Sequence, residues 1–367
     1  MIDIVFLGDL ILDVPEPDHW LAGVAPPTRA ADLAIGHLEV PHTARGQEMV
    51  GDVPAPGADP AHLAALARAG IGMVSLAGNH IADCGAEGIA DTIDELARLG
   101  IMHAGAGLDL AQAQRPAVIV RGGVRVALLS YNCVGPEMSW AAKNRAGSNP
   151  LVVRAADGGP TRPQAELIEA EPASLALMAH QIAQARHHAD VVVVALHKGI
   201  THRPAELAPY EQPVSHAAID AGADIVVGHH AHIVRGIELY RGRPIFHGLG
   251  NGVVVTQALS PAQDHPARAE WAERRKRMFG FEPDPAYMLA PFHPEAVNGM
   301  IGRCRINVDG TMETAFRPIW FAPPGRPEIA EGAQAEAVAD YIDAIGQRAG
   351  LSPLARVWSD GWVRVAG

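Results

Sequence analysis

The amino-acid sequence predicts an α/β protein whose sheets are largely buried. Short apolar runs rich in β-branched residues alternate with segments of helical periodicity, and 48% of the 367 residues are hydrophobic. Strands that are separated by helices are typical of sheets with helices packed on their faces. A chain of this length and composition buries one large core or two modest ones, so we expect a compact globular protein.

Eight apolar segments in the first 250 residues are predicted as strands. They are residues 2–7, 35–40, 71–76, 124–130, 191–196, 223–227, 233–239 and 244–247. Their continuous Val, Ile and Leu content indicates strands that are covered on both faces. A further strand is expected at about residues 301–308.

Helices are predicted between the strands from their start and stop signals. The clearest begins with Asp59 as N-cap and Pro60 at the first helical position, and it stops at Gly70. Further helices are predicted over about residues 86–99, 172–188 and 333–349.

The chain is interpreted as a main domain over residues 1–325 followed by a C-terminal helix and short tail over residues 326–367. Residues 258–298 differ in character from the rest, because a charged helical piece is followed by a proline-rich one. We interpret this segment as an insertion that acts as a lid or an interface.

Composition and charge argue against several classes of protein. The formal net charge is −12 and no stretch strings five or six Lys or Arg together, which argues against nucleic acid or an anionic membrane as the main partner. The three cysteines lie far apart without C-x-x-C spacing, so we expect buried thiols in a reducing compartment. The N-terminal segment lacks the features of a signal peptide, and no run approaches the length of a bilayer span, so the expected location is the cytoplasm. The sequence leaves open whether the protein forms a homo-oligomer.

Metal-capable side chains come directly after five of the predicted strands. They are Asp9, Glu39, Asn79 with His80, His197, and the group of His229, His230 and His232. Ligand sites in α/β sheets gather at the carboxyl ends of strands, so we expect these side chains to converge. Imidazole, carboxylate and amide groups bind Zn, Mn or Fe(II) without a thiolate, which suits a dinuclear site. Such ions lower the pKa of a bound water to about 7 in zinc enzymes and so provide a nucleophile.

Each motif also has a purely structural interpretation. Asp9 can belong to a turn, and Asn79 can form an Asx turn before the next helix. Three imidazoles after a buried strand would repel one another if protonated and are stabilised by metal, which favours the site interpretation for that group. Asp83 is interpreted as a helix cap rather than a ligand.

Seven stretches of the sequence form a set of motifs. They are GDLIL (8–12), LEVP (38–41), GNHIADCGAEGIADTIDELARLGI (78–101), GAG (105–107), LHKG (196–199), AIDAGADIVVGHHAHIV (218–234) and RPIFHGLGN (243–251). In their order across about residues 3–255 they resemble the CapA family. These are poly-γ-glutamate capsule-synthesis-type proteins within the calcineurin-like metallophosphoesterase superfamily. The resemblance implies a four-layer α/β/β/α sandwich with the metal site at the C-terminal ends of strands.

The resemblance also implies two divalent metal ions, which would be Mn, Zn or Fe. Carried over residue by residue, it assigns one ion to Asp9, Glu39 and His232, and the other ion to Asn79, His197 and His230. Glu39 would be the bridge between the two ions. By the same analogy, His80 would protonate the leaving group or stabilise the transition state.

The metal motifs depart from the family pattern near the first strand. The superfamily normally opens with D-x-H, whereas Asp9 is followed by Leu10 and Ile11. His37 stands where the family usually has Asn, and it shares a strand face with Glu39 two residues later. His37 is therefore a provisional replacement for the missing histidine ligand.

Other departures concern the expected substrate pocket. Lys198 stands where Trp is usual, and His247 stands where Tyr is usual. Arg203 and Arg235 are further candidates for binding an anionic substrate. His229 is also treated as a candidate substrate-binding residue, because the H-x-H spacing favours His230 rather than His229 as the metal ligand.

The predicted function is metal-dependent hydrolysis of a small, anionic or peptide-like substrate. The scissile bond would be a γ-glutamyl-like amide, a lactone or a phosphoester. The alternative is a non-hydrolytic accessory protein of poly-γ-glutamate capsule biosynthesis or export. A metal-free binding module is a third possibility, but it does not explain why ligand-type residues follow so many strands.

Overall fold

A computed structural model describes residues 1–48, 57–259 and 266–367. The strands in chain order are β1 (Ile2–Leu12), β2 (Leu33–Leu38), β3 (Ile71–Ser75), β4 (Met102–Ala104), β5 (Ala106–Gly107), β6 (Ala117–Arg121), β7 (Val124–Asn132), β8 (Gly147–Ser148), β9 (Val153–Ala155), β10 (Leu167–Ala170), β11 (Val191–Lys198), β12 (Ile225–His230), β13 (Ile237–Tyr240), β14 (Arg243–Phe246), β15 (Asn251–Val255), β16 (Asn298–Ile306), β17 (Met312–Ala322), β18 (Arg326–Ile329), β19 (Ala355–Ser359) and β20 (Trp362–Ala366). The α-helices are α1 (Pro17–Leu21), α2 (Ala25–Ala30), α3 (Leu63–Arg68), α4 (Gly85–Arg98), α5 (Leu110–Ala113), α6 (Pro172–Arg186), α7 (Glu211–Asp220), α8 (Pro266–Phe279) and α9 (Gly332–Arg348).

Most of these strands belong to two large sheets. The first sheet has the order β19-β20-β17-β16-β1-β2-β3-β4, with β15 beside the second half of β1 and β18 beside β17. The second sheet has the order β13-β14-β12-β11-β7-β6. The strands β1, β2 and β3 are parallel, and so are β7, β11, β12 and β14. The parallel strands of each sheet therefore end at a common edge.

The two sheets pack face to face. Phe6 and Ile35 of the first sheet share one buried cluster with Leu128, Val193 and Val227 of the second. Alternate residues of a strand point to opposite faces of the sheet. The residues that flank these core residues in the chain therefore point away from the other sheet, towards the outer layers.

Helices cover the outer faces of both sheets. Val5 of β1 packs in a cluster with Leu66 of α3 and Ile89 of α4, while Val194 of β11 packs in a cluster with Met178 of α6 and Val214 of α7. The four-layer α/β/β/α sandwich expected from the sequence is therefore confirmed.

Several strands run further than the apolar pattern predicts. β1 continues to Leu12, β11 to Lys198 and β12 to His230. Neighbouring strands pair with these extensions, as in the register partners His197 and His229. The expectation that Asp9, His197 and His230 follow their strands is corrected, since all of them lie inside the ladders. A hydrogen-bonded ladder depends on backbone partners and extends past the point where apolar side chains end.

The C-terminal region is built into the sandwich. Its strands β18 and β20 pair with β17 of the first sheet. Helix α9 adds Val338, Ile342 and Ile345 to the core between the sheets. The residues after α9, which we expected to form a short tail, form the β19–β20 hairpin.

The segment interpreted as an insertion contains α8 and two short 3-10 helices, Pro285–Tyr287 and Pro294–Val297. Residues 260–265 of this segment lie outside the described residues. Across the described ranges of the chain, none of the helices combines the length and the apolar character that a bilayer span requires.

Candidate metal centre

Asp9 reaches the centre through an irregularity in β1. The register with β2 shifts between Phe6 and Asp9, and the register with β15 shifts directly after Asp9. A Cβ on Gly8 would lie 1.9 Å from the Gly250 carbonyl oxygen, so only glycine allows this close approach. Irregularities of this kind redirect side chains near functional sites. Asp9 is fully buried.

The strand register places polar side chains in two rows, one on each sheet, and the two rows face each other. In the first sheet, Asp9 pairs with His37, His37 pairs with Ser75, and Asp9 pairs with Asn251 on its other side. In the second sheet, His197 pairs with His229. Rings from the two rows meet, since the centroids of His37 and His197 are 4.5 Å apart.

The first potential metal position consists of Asp9, Glu39 and His232. One ligand atom from each lies within 4.8 Å of the others. His232 Nδ1 is 3.4 Å from Asp9 Oδ2, and His232 Nε2 is 3.3 Å from Glu39 Oε1. Neither Glu39 oxygen makes a hydrogen bond of acceptable geometry within the described residues. A buried carboxylate is costly unless a cation accompanies it, and either protonated His232 or a divalent ion in its place fills that role here.

The second potential position consists of Asp9, His37 and His197, again with ligand atoms within 4.8 Å of one another. A Cβ on Gly78 would lie 2.9 Å from His37 Nε2 and 3.3 Å from a carbon of His197. Gly78 therefore leaves room for both rings. Asp9 is the residue common to the two positions, whereas we expected Glu39 to be the bridge.

Asn79 and His230 lie beside the second position. Asn79 Oδ1 accepts a hydrogen bond from His197 Nε2 at 2.7 Å. The His230 ring centroid is 4.8 Å from that of His197, and its backbone N–H faces Asp9 with Oδ2 at 3.3 Å. Asn79, His197 and His230, which the family resemblance assigns to one ion, thus lie next to one another.

The chain passes through the centre in a strained conformation. His230 has φ 87° and His232 has φ 53°. Non-glycine residues in this region cost of order 1 kcal/mol each and concentrate at functional sites. The two residues on either side of Ala231 therefore hold their imidazoles in place at an energetic cost to the fold.

The charges within the first position are strongly coupled. Burial, and then the neighbouring Glu39, raise the pKa of Asp9 well above its usual value. Burial opposes ionisation of Glu39 as well, but the nearby His232 prevails and lowers the pKa of Glu39 to about 2. Burial likewise opposes the charge on His232, but Glu39 and Asp9 raise its pKa to about 9. Ion binding at this position therefore has to displace protons.

His80 forms a pair with Asp83. His80 Nδ1 lies 2.6 Å from Asp83 Oδ2, and both side chains are buried. We interpreted Asp83 as a helix cap, but Cys84 is the N-cap residue of α4. The spacing of three residues within one turn was the sequence signal for this pair.

Three of the predicted substrate-binding residues are engaged elsewhere. The Lys198 ammonium donates to Glu211 Oε2 at 2.8 Å, and His247 Nε2 donates to Glu238 at 2.8 Å. Arg235 is 1% exposed and donates to the Ile200 carbonyl oxygen. Because Glu211 belongs to α7, Lys198 faces the helix layer behind the sheet. The partners of these hydrogen bonds, Glu211, Glu238 and Ile200, are not candidate metal ligands.

The other two predicted substrate-binding residues, Arg203 and His229, differ in their surroundings. Arg203 is exposed to solvent. His229 lies inside the centre, with its ring stacked on His37 at 4.8 Å.

An aromatic cover lies over the first position, and the sequence did not reveal it. The Phe292 ring stacks on His232 at 4.7 Å. His202, also buried, lies 5.8 Å from His232 and contacts Phe279 and Phe281 at 4.8 and 5.2 Å. The segment that we interpreted as a lid or an interface thus supplies side chains next to a candidate ligand.

Side chains that orient the imidazoles were also missed. Ser75 Oγ lies 2.9 Å from His37 Nδ1, Thr201 Oγ1 lies 2.9 Å from His230 Nε2, and Asn251 Oδ1 lies 2.9 Å from His232 Nδ1. Partners of this kind fix ring orientation and tautomer in metal sites. Ser75 and Asn251 come from strand register between distant segments, which local sequence patterns do not specify.

Several known proteins are similar to this chain in sequence. A probable polyglutamine synthesis accessory protein of Mycobacterium tuberculosis is 33% identical over 230 residues, covering 61% of this chain and 56% of its own length. The PGA biosynthesis protein CapA of Bacillus subtilis is 30% identical over 258 residues, covering 68% of this chain and 62% of its own. The capsule biosynthesis protein CapA of Bacillus anthracis is 31% identical over 198 residues, covering 52% and 41%. The matches therefore span between about two fifths and three fifths of these relatives.

A solved structure also aligns with the chain. The calcineurin-like phosphoesterase YfkN of Bacillus subtilis covers 95% of this chain and 97% of its own, with a TM-score of 0.35 and 10% identity. The family model of the bacterial capsule synthesis proteins, PGA_cap, matches residues 3–255, which include every candidate metal ligand and His80 but not the phenylalanines of the aromatic cover. The chain therefore belongs to the PGA_cap family of bacterial capsule synthesis proteins.

Proposed function

We propose that this protein is a metal-dependent hydrolase of a small anionic substrate with an amide, lactone or phosphoester bond. The observation that carries the proposal is the pair of ligand groupings that share Asp9. Divalent ions bound there would supply a hydroxide nucleophile at neutral pH and polarise the scissile bond.

The buried donors support a site for two ions. The proposed ligands are Asp9, Glu39, His37, Asn79, His197, His230 and His232. Carboxylate, amide and imidazole donors of this kind suit Mn, Zn or Fe(II).

His80 is the proposed catalytic acid. Its Nδ1 is engaged by Asp83, so Nε2 is the nitrogen that exchanges a proton with the leaving group. Asp83 acts through His80 and is a positioning residue, because it holds the ring in one orientation.

The substrate class is inferred from the site and from the names of relatives. Asp9 and Glu39 are completely buried, and His80 and His232 are less than a tenth exposed, which favours a small molecule or the end of a chain over a large folded substrate. The relatives are named for polyglutamine synthesis or PGA biosynthesis, which favours γ-glutamyl amides among the three classes.

A second proposal follows from the same names. The Mycobacterium tuberculosis relative is described as an accessory protein, and an accessory role in poly-γ-glutamate synthesis or export requires no hydrolysis. The two proposals differ in one respect that is simple to measure, which is turnover by the metal-loaded protein.

The test is a panel of γ-glutamyl amides, lactones and phosphoesters with protein loaded with Mn²⁺, Zn²⁺ or Fe²⁺. The hydrolase proposal predicts turnover of at least one class, which His80→Ala abolishes without loss of bound metal. His230→Ala should lose metal affinity as well. His42→Ala is the matched control, because His42 is also a buried histidine but pairs with Val40 outside the centre. Metal-saturated protein that turns over none of the classes would contradict the hydrolase and favour the accessory role.

A further inference from the structure

Four imidazoles form a continuous buried cluster at one side of the centre. The ring centroids of His37 and His229 are 4.8 Å apart, those of His37 and His197 are 4.5 Å apart, and those of His197 and His230 are 4.8 Å apart. None of the four residues is more than 3% exposed. Two of them, His37 and His229, are not among the ligands that the family resemblance implies.

Each ring has one nitrogen in contact with a protein group. His229 Nε2 donates to the Leu7 carbonyl oxygen at 3.4 Å, and His197 Nε2 donates to Asn79 Oδ1 at 2.7 Å. Because both partners are acceptors, the proton of each ring is on Nε2 and the lone pair is on Nδ1. Proteins prepare metal-binding histidines in this way.

The other nitrogen of each ring has no hydrogen-bond partner among the residues that the structure describes. These atoms are His37 Nε2, His197 Nδ1, His229 Nδ1 and His230 Nδ1. Leaving a buried ring nitrogen without a hydrogen-bond partner is costly, so four such nitrogens in one cluster would be a large penalty. A bound cation removes that penalty.

The two potential positions differ in donor type. Asp9, Glu39 and His232 offer two carboxylates and one imidazole, whereas Asp9, His37 and His197 offer one carboxylate and two imidazoles. His229 stacks on His37 of the latter group, and it lies next to the grouping of Asp9, His37 and His197 without being one of its three members. Carboxylate-rich positions suit Mg²⁺ and Mn²⁺, while imidazole suits Zn²⁺ and Fe²⁺.

We propose that His37 and His229 join Asp9 and His197 as ligands of one ion, and that this position takes Zn²⁺ or Fe²⁺ in preference to Mn²⁺ and Mg²⁺. The inference rests on the proposed function. To the metal centre proposed there it adds a preference for Zn²⁺ or Fe²⁺ at one position and one further ligand, His229. It requires no assumption about the substrate.

The test is competitive metal loading. Metal-free protein is dialysed against equal concentrations of Zn²⁺ and Mn²⁺, and bound metal is measured by elemental analysis. His229→Asn and His37→Asn should each lower the bound Zn/Mn ratio by roughly tenfold or more, which is the usual size of a lost ligand or supporting contact. His42→Asn is the matched control and should leave the ratio unchanged, since this buried histidine also has a ring nitrogen without a hydrogen-bond partner in the described part of the chain.

A measurement on the unaltered chain guards against variants that fail to fold. In Co²⁺-loaded protein, imidazole N–H protons of ligated rings give shifted, exchangeable NMR signals. The proposal predicts a signal from His229 in addition to those of His37, His197 and His232. Absence of the His229 signal, or an unchanged Zn/Mn ratio in a folded His229→Asn protein, would overturn the inference while leaving the metal centre intact. Failure of the wild type to bind either metal would instead contradict the proposed function.

Discussion

His80 Nδ1 lies 2.6 Å from Asp83 Oδ2, and the two residues are three positions apart in the chain. The pair is buried at the entrance to α4. Hydrogen bonding of a carboxylate to one ring nitrogen orients a catalytic histidine and defines which nitrogen handles the proton.

Replacing Asp83 with Asn should impair turnover and spare the metal. We expect kcat to fall by roughly 10²-fold, with KM and metal content unchanged. The pH–rate profile should shift as well, and Asp83→Glu should recover part of the rate. Asp309→Asn, in an exposed turn, is the control. A loss of bound metal in parallel with kcat would show instead that Asp83 supports the metal site.

Gly78→Ala should weaken metal binding directly. The added Cβ would lie 2.9 Å from His37 Nε2 and 3.3 Å from a ring carbon of His197, so the His37 ring has to shift from its position beside Asp9 and His197. Affinity at that position should fall by roughly 10–100-fold, measured by titration of metal-free protein with Zn²⁺. Gly72→Ala is a milder matched change, because its nearest contact is the Leu33 side chain at 3.3 Å. Wild-type affinity in Gly78→Ala would mean that His37 is not a ligand.

The metal-free protein should lose stability steeply in mild acid. Burial lowers the pKa of His42, His229 and His247 to about 4 and that of His230 to about 3. The unfolded chain takes up these protons near pH 6.5, so each residue destabilises the fold by about 1.4 kcal/mol per pH unit below that value. His232 acts oppositely, since its pKa of about 9 stabilises the fold below pH 6.5 and that contribution is lost as the pH rises through 9.

Urea unfolding of chelator-treated protein measures this dependence. The free energy of unfolding should be greatest near neutral pH and should fall as the pH decreases from about 6.5 to about 5. His42→Asn should flatten the acid limb, because one of the contributing imidazoles is removed. Stability that is constant or rising over that range would show that the imidazoles are not buried in neutral form.

Phe292→Ala should open the aromatic cover. The ring stacks on His232 at 4.7 Å, so its removal exposes a candidate ligand to water. We expect faster loss of metal to a chelator and a raised KM with a smaller effect on kcat. Met288→Ala, which changes an exposed side chain of the same segment, is the control. Equal rates of metal loss in both variants would contradict a covering role for Phe292.

The sequence predicts those features that depend on local pattern. Apolar runs located the central strands, and ligand-type residues such as Asp9 and His232 stood out because ligand sites in α/β sheets gather at the carboxyl ends of strands. The motif order also anticipated the four-layer sandwich. Each motif lies within a short stretch of sequence, so no knowledge of tertiary structure is needed to recognise it.

Other features depend on how distant segments align. Asp9, His37 and Ser75 form one row only because β1, β2 and β3 pair in a particular register. Lys198 is adjacent to His197, yet strand alternation directs its ammonium towards Glu211 on the helix layer. The contact between Phe292 and His232 joins segments 60 residues apart. No local pattern specifies such contacts.

Metal stoichiometry tests the central claim most directly. Reconstituted wild-type protein should bind about two divalent ions per chain, as expected for a two-metal site. Asp9→Asn should lose both ions, because both groupings contain Asp9, whereas His232→Ala should retain about one. Wild-type protein that holds less than about 0.5 equivalents after reconstitution with Mn²⁺, Zn²⁺ and Fe²⁺ would contradict the account.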